Sequence, residues 1–151
     1  MEPKIISKDQ FKIIGVKKRI KSESPHFHNV WKEFTKNYDK IKASSIDNGF
    51  YGINFEPDEN NFQDYIAGIA VDNDYQNSDR AFTEHIQPSS LYAVFECKLN
   101  NIGPTYMKIF SEWVKNNQYS LRNFSCFEYY PPNTVKPDDI VFLYIPINKN
   151  S

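Results

Sequence analysis

Two stretches of this chain run through the same succession of patterns, and that repetition limits the fold more than any single motif. In the first, Phe11, Ile13, Ile14 and Val16 read as a strand that runs out into Lys17-Lys18-Arg19. Ser24-Pro25 then offers an N-cap and a first-turn proline, and Phe27, Val30, Trp31, Phe34, Tyr38 and Ile41 recur at helical spacing. After the Asp47-Asn48-Gly49 turn signal, residues 50–55 and 64–71 read as two further strands, separated by the acidic, Asn-rich stretch 56–61. The second stretch repeats this order. Residues 91–98 are a strand rich in Tyr, Val and Phe, and Gly103-Pro104 opens a helix with Tyr106, Phe110, Trp113 and Val114 on one face, ended by Asn116-Asn117. Residues 125–130 and 140–147 are strands joined by a proline-rich loop.

The pattern is therefore β-α-β-β twice, with halves at about 8–72 and 88–148 inside one domain spanning 1–151. Trp31 and Phe34 in the first helix mirror Phe110 and Trp113 in the second. A half alone leaves a sheet face uncovered, so the expected fold is α+β: duplicated units forming an antiparallel sheet that carries two main helices, with a ligand groove between the halves.

Several function classes are disfavoured. The formal net charge is −1, which gives no long-range field for nucleic acid, and the cluster at residues 17–21 reads as a solvated strand end. No window approaches a membrane span and residues 1–24 contain no apolar leader core, so the expectation is a cytoplasmic chain with no membrane partner. Cys97 and Cys126 lack metal or redox spacing and are expected to be reduced thiols packed as small apolar groups. His26 and His28 point in different directions on a helix, and His85 has no companion ligands, so no metal is expected. With five glycines and no phosphate-binding or nucleophile-elbow motif, no cofactor is expected either.

One charge stands out against the 16% aromatic content: Glu128, inside Phe127-Glu128-Tyr129-Tyr130. A carboxylate in a buried strand must find donors, take a proton, or meet a cation. A lipophilic cation placed there gains Coulomb attraction and contact with ring faces together, each ring contributing about 0.5 to 2 kcal/mol.

The segments Tyr92-Ala93-Val94-Phe95, Ile109-Phe110-Ser111-Glu112-Trp113-Val114 leading to Tyr119, Phe127-Glu128-Tyr129 and Tyr144-Ile145-Pro146-Ile147 together resemble the gyrase-inhibitor-like small-molecule-binding domain. The same domain forms the effector-binding half of AraC-type and MerR-type transcription activators, multidrug sensors among them. Tyr65-Ile66-Ala67-Gly68-Ile69 and the Val30-Trp31 helix also fall where that pattern expects them. The chain departs from it at Leu99-Asn100-Asn101-Ile102, where the family usually has a glycine, and residues 1–10 are too short for a helix-turn-helix, so no DNA-binding domain is expected. The resemblance implies Glu128 at the pocket floor and Tyr144 in its lining. Tyr51, Tyr65, Tyr106 and Trp113 are further wall candidates by phase and resemblance, and Trp31 flanks the groove.

The expected function is a stand-alone effector-binding module, monomeric or weakly dimeric, that captures a lipophilic cationic or amphipathic molecule in transcription-linked sensing or sequestration. Two alternatives come with the resemblance. One is a hydrolase of strained electrophilic toxins, with Glu128 as general acid or base. The other is a gyrase-inhibiting interaction protein, whose only DNA-mimicking candidate is the acidic loop at residues 56–64.

Overall fold

A computed structural model describes residues 1–150 and shows nine antiparallel strands and two helices, an α+β fold. The strands are β1 (Lys4–Lys8), β2 (Phe11–Lys21), β3 (Phe50–Asn54), β4 (Phe62–Val71), β5 (Thr83–Gln87), β6 (Ser90–Lys98), β7 (Tyr119–Leu121), β8 (Cys126–Tyr130) and β9 (Ile140–Lys149). Helix α1 (Phe27–Asn37) follows β2 and helix α2 (Ile102–Ser111) follows β6. The order β2-α1-β3-β4 recurs as β6-α2-β8-β9, the duplicated succession expected from the sequence.

The sheet runs β1-β6-β9-β8-β3-β4-β2-β5, with β7 beside β9. Its centre is the β3–β8 pair, and on either side the strands follow in equivalent order. The pairing itself is symmetric. Phe11 lies opposite Gln87 at one edge and Lys8 opposite Ser90 at the other, so β5 of the second half completes the first half's sheet while β1 of the first completes the second's. The links between β1 and β2 and between β5 and β6 are only two residues each (Asp9-Gln10 and Pro88-Ser89), which brings the sheet's two edges together at this corner. There the Gln10 amide donates to Ser89 Oγ at 2.8 Å.

Alternation along the strands sorts side chains onto two faces. Ile14, Val16, Ala67 and Ile69 pack under Val30, Phe34 and Ile41 from the α1 region, and Phe95, Val141, Leu143 and Ile145 pack under Ile109 of α2. The other face carries Ile13, Tyr51, Ile53, Ile66, Tyr92 and Phe127. A groove floored by β3 and β8 is left between the two helices.

Local details differ from the expectation. Helix α1 begins at Phe27, not at Ser24-Pro25: the Ser24 amide donates to the Lys21 carbonyl in a turn, and His26 takes a left-handed φ of 45° before the helix with no side-chain cap. Helix α2 stops at Ser111, and Trp113–Lys115 form a separate short 3₁₀ turn. Strands β1, β5 and β7 carry too little hydrophobic alternation to be read as strands, because edge strands keep polar residues against water. None of the helices among the described residues is long and apolar enough to cross a membrane.

Candidate functional site

Glu128 lies on β8 directly opposite Gly52 of β3, at the middle of the symmetric sheet. It is 4% exposed and faces the groove between the helices. Four side chains donate to its carboxylate. Tyr65 of β4 and Tyr130 of β8 reach Oε1 at 2.6 and 3.2 Å, and Tyr106 of α2 and Asn54 of β3 reach Oε2 at 2.7 Å each. A second layer holds these donors. Trp31 Nε1 donates to Tyr65 Oη at 3.0 Å, and Gln63 Nε2 donates to Asn54 Oδ1 at 3.2 Å.

Two opposing effects act on this carboxyl group. Burial pushes it above the usual carboxylate range, and the hydrogen bonds from Tyr65, Tyr106, Tyr130 and Asn54 pull it back. Burial first, and then the charge of Glu128, raise the three tyrosines well above their ordinary value, so they remain hydroxyl donors. Cys126, on the same face, is pushed up to about 12 by burial and then by Glu128. Its thiol stays protonated at neutral pH and is a poor nucleophile.

Glycine at position 52 makes this arrangement possible. A Cβ there would meet Tyr65 Oη at 2.1 Å and Glu128 Oε1 at 2.2 Å. The middle of the sheet has room for one side chain from the pair, and it is the carboxylate.

Above Glu128 the groove opens into a cavity of about 1170 Å³. Its walls are largely aromatic: Phe27 against Tyr65 with centroids 4.7 Å apart, Trp31 against Tyr130 at 5.3 Å, and Tyr106 parallel to Phe110 at 6.2 Å. A buried acceptor of charge beneath several ring faces suits an apolar cation. No group of three His, Cys, Asp or Glu among the described residues is arranged to hold a metal ion.

The structure places Glu128, Tyr65, Tyr106 and Trp31 together at this cavity. Three other sequence-derived wall candidates lie elsewhere. Tyr51 neighbours Gly52 along β3, so alternation turns it to the opposite face, where it donates to Asp47 Oδ2 at 2.7 Å and packs on Phe127 and Tyr129. Tyr144 stands opposite Phe127 in β9 and stacks on that ring at 4.5 Å, again away from Glu128. Trp113 lies beyond the end of α2 and packs on Phe95 at 5.2 Å in the core beneath that helix.

The flanking rings Phe127 and Tyr129 also point away from the carboxylate, whose aromatic company comes from other elements. Asn54, Tyr130, Phe27 and Phe110 line the cavity without having been singled out as wall residues. Tyr130 had a usable signal, since it stands two residues from Glu128 and shares its face. Asn54 had none, because its place depends on the β3–β8 register.

The sequence matches the family described as integron-associated effector-binding protein (Cass2) over residues 4–147. Solved structures share the fold at low identity. SAV2435 bound to tetraphenylphosphonium is 15% identical, with 98% of this chain and 94% of that chain covered and a TM-score of 0.71. The EcmrR C-terminal domain is 12% identical, with 98% of each chain covered and a TM-score of 0.72. An integron cassette protein from the mobile metagenome of Vibrio cholerae is 17% identical, with 98% and 97% covered and a TM-score of 0.67. None of the curated proteins matches the chain.

Proposed function

Because the chain belongs to the Cass2 family of integron-associated effector-binding proteins, we propose that it captures a lipophilic cation in the cavity between α1 and α2, with Glu128 as counter-charge. The observation that carries this reading is a buried carboxylate, held by four donors, at the floor of an aromatic cavity. Tyr65, Tyr106, Tyr130 and Asn54 orient the carboxylate, and Trp31, Phe27 and Phe110 supply ring faces. SAV2435, of like fold, has been solved with tetraphenylphosphonium. Such a module acts in sensing, including transcription-linked sensing through a separate regulator, or in sequestration.

The same geometry favours binding over hydrolysis. A general base needs a lone pair aimed at water, and each oxygen of Glu128 already accepts two hydrogen bonds. The acidic segment is also poorly suited to imitate DNA. Asp58 is paired with Arg19, and Asp64 with both Arg19 and Lys17, so part of its charge is neutralised within the fold.

The test is a titration with tetraphenylphosphonium, following heat and tryptophan emission, in the wild type and in Glu128→Gln. Saturable binding that weakens at least about tenfold in the variant, with the ligand recovered unchanged, supports the proposal. Binding indifferent to the substitution would reduce Glu128 to a structural carboxylate, and an altered product would make the protein a catalyst.

A further inference from the structure

The two ends of the cavity are not alike. By the symmetry of the β3–β8 pair, Phe50 and Tyr130 at the α1 end occupy the places that Cys126 and Asn54 occupy at the α2 end. Around Trp31 the lining is aromatic and uncharged, whereas past Asn54 two charged side chains, Glu56 and Arg122, join the lining among Phe55, Pro57 and Phe124. Besides Glu128, Glu56 is the only carboxylate lining the cavity among the described residues, and it forms no ion pair or hydrogen bond there. Its charge reaches inward, adding to the rise of the Cys126 thiol. Arg122, the cation at this end, lies 5.2 Å from the Phe124 ring centroid and is not paired with Glu56. The cavity volume of about 1170 Å³ exceeds the usual range for a small-ligand pocket and leaves room beyond a head group seated over Glu128.

We infer that the preferred ligand is an elongated dication, with an aromatic cationic head over Glu128 toward Trp31 and a second cationic group at Glu56. This rests on the reading of Glu128 as counter-charge and adds the chemical class and orientation of the ligand. Because Glu56 is solvent-exposed, its share is modest and sensitive to salt.

Ethidium and propidium share a phenanthridinium head, and propidium adds a quaternary ammonium tail. At low ionic strength the wild type is expected to bind propidium about three- to fivefold more tightly than ethidium. Glu56→Gln should remove that advantage and leave ethidium unchanged, and added salt should do the same. Equal affinity for the two dyes in the wild type, or a Glu56→Gln variant weakened equally for both, would overturn the dication inference while leaving Glu128 in its role. Ethidium binding that is absent, or unaffected by Glu128→Gln, would remove the reading of Glu128 itself and the inference with it.

Discussion

Gly52 and Glu128 face each other across the central strand pair, and the carboxylate occupies the space that a side chain on residue 52 would fill. Two equivalent halves meeting at their middle strands cannot both place a side chain there. The duplicated fold thus carries one carboxylate at its centre.

Replacing Gly52 with Ala should displace Tyr65 and Glu128 together. The expected result is a stability loss of about 1 to 3 kcal/mol from overpacking, with tetraphenylphosphonium affinity falling at least about tenfold. Gly103→Ala is the control for stability alone, since a Cβ at that position in α2 meets no protein atom within 4 Å although the residue lines the cavity. Thermal melts of both variants and calorimetric titration of Gly52→Ala check this.

The raised carboxyl of Glu128 makes binding depend on pH in a definite direction. A permanently charged cation prefers the ionised form, so affinity should rise as pH climbs from the ordinary carboxylate range through the elevated value of Glu128 and then level off. Stability of the free protein should move oppositely. A folded-state value above the unfolded one gives a contribution that is full below the unfolded value and lost as pH rises through the folded one. Glu128→Gln should flatten both profiles, as measured by titration and denaturant unfolding between pH 4 and 8.

Removing a donor should shift that profile. Tyr106→Phe leaves Oε2 with Asn54 as its partner, so the carboxyl value rises further and the binding curve moves to higher pH. The expected stability change is a loss of about 1 to 3 kcal/mol. A pH profile that coincides with the wild type would show that the Tyr106 hydroxyl does not hold the charge.

Side chains outside the cavity should separate stability from binding. Tyr51→Phe should lower stability by about 0.5 to 1.5 kcal/mol through loss of the hydroxyl bond to Asp47, with ligand affinity unchanged. Trp113→Phe should likewise disturb packing against Phe95 and preserve ligand-dependent emission change, whereas Trp31→Phe should abolish most of that change. Emission titrations of the two tryptophan variants compare these outcomes.

Much of the architecture was legible because it is written in short-range periods. The helical stripe from Phe27 to Phe34 and the apolar strands at β4, β6 and β9 were readable, as was their recurrence in the same order, although α1 ends at Asn37 and Tyr38 falls in a 3₁₀ turn before Ile41. The edge strands were not, because β1 and β5 owe their place to pairing with the other half. For the same reason, nothing local announced that the two halves exchange their edges. The first helix starts at Phe27 and not at Ser24-Pro25, because the turn closing onto Lys21 prevails over capping preference there, whereas the second starts beside Gly103-Pro104 as the sequence indicates.

The sequence by itself determined that a carboxylate would be buried in an aromatic strand, since Phe127, Tyr129 and Tyr130 allow little else around Glu128. Tertiary structure decided which rings attend it. The immediate neighbours Phe127 and Tyr129 are turned away by the two-residue period of the strand. Donors arrive instead from Tyr106, Tyr65 and Asn54, which stand 22, 63 and 74 residues away in the chain. Periodicity is a property of neighbours along the backbone, whereas the hydrogen bonds that hold this charge depend on strand register and helix packing between distant segments, where only the folded chain brings them together.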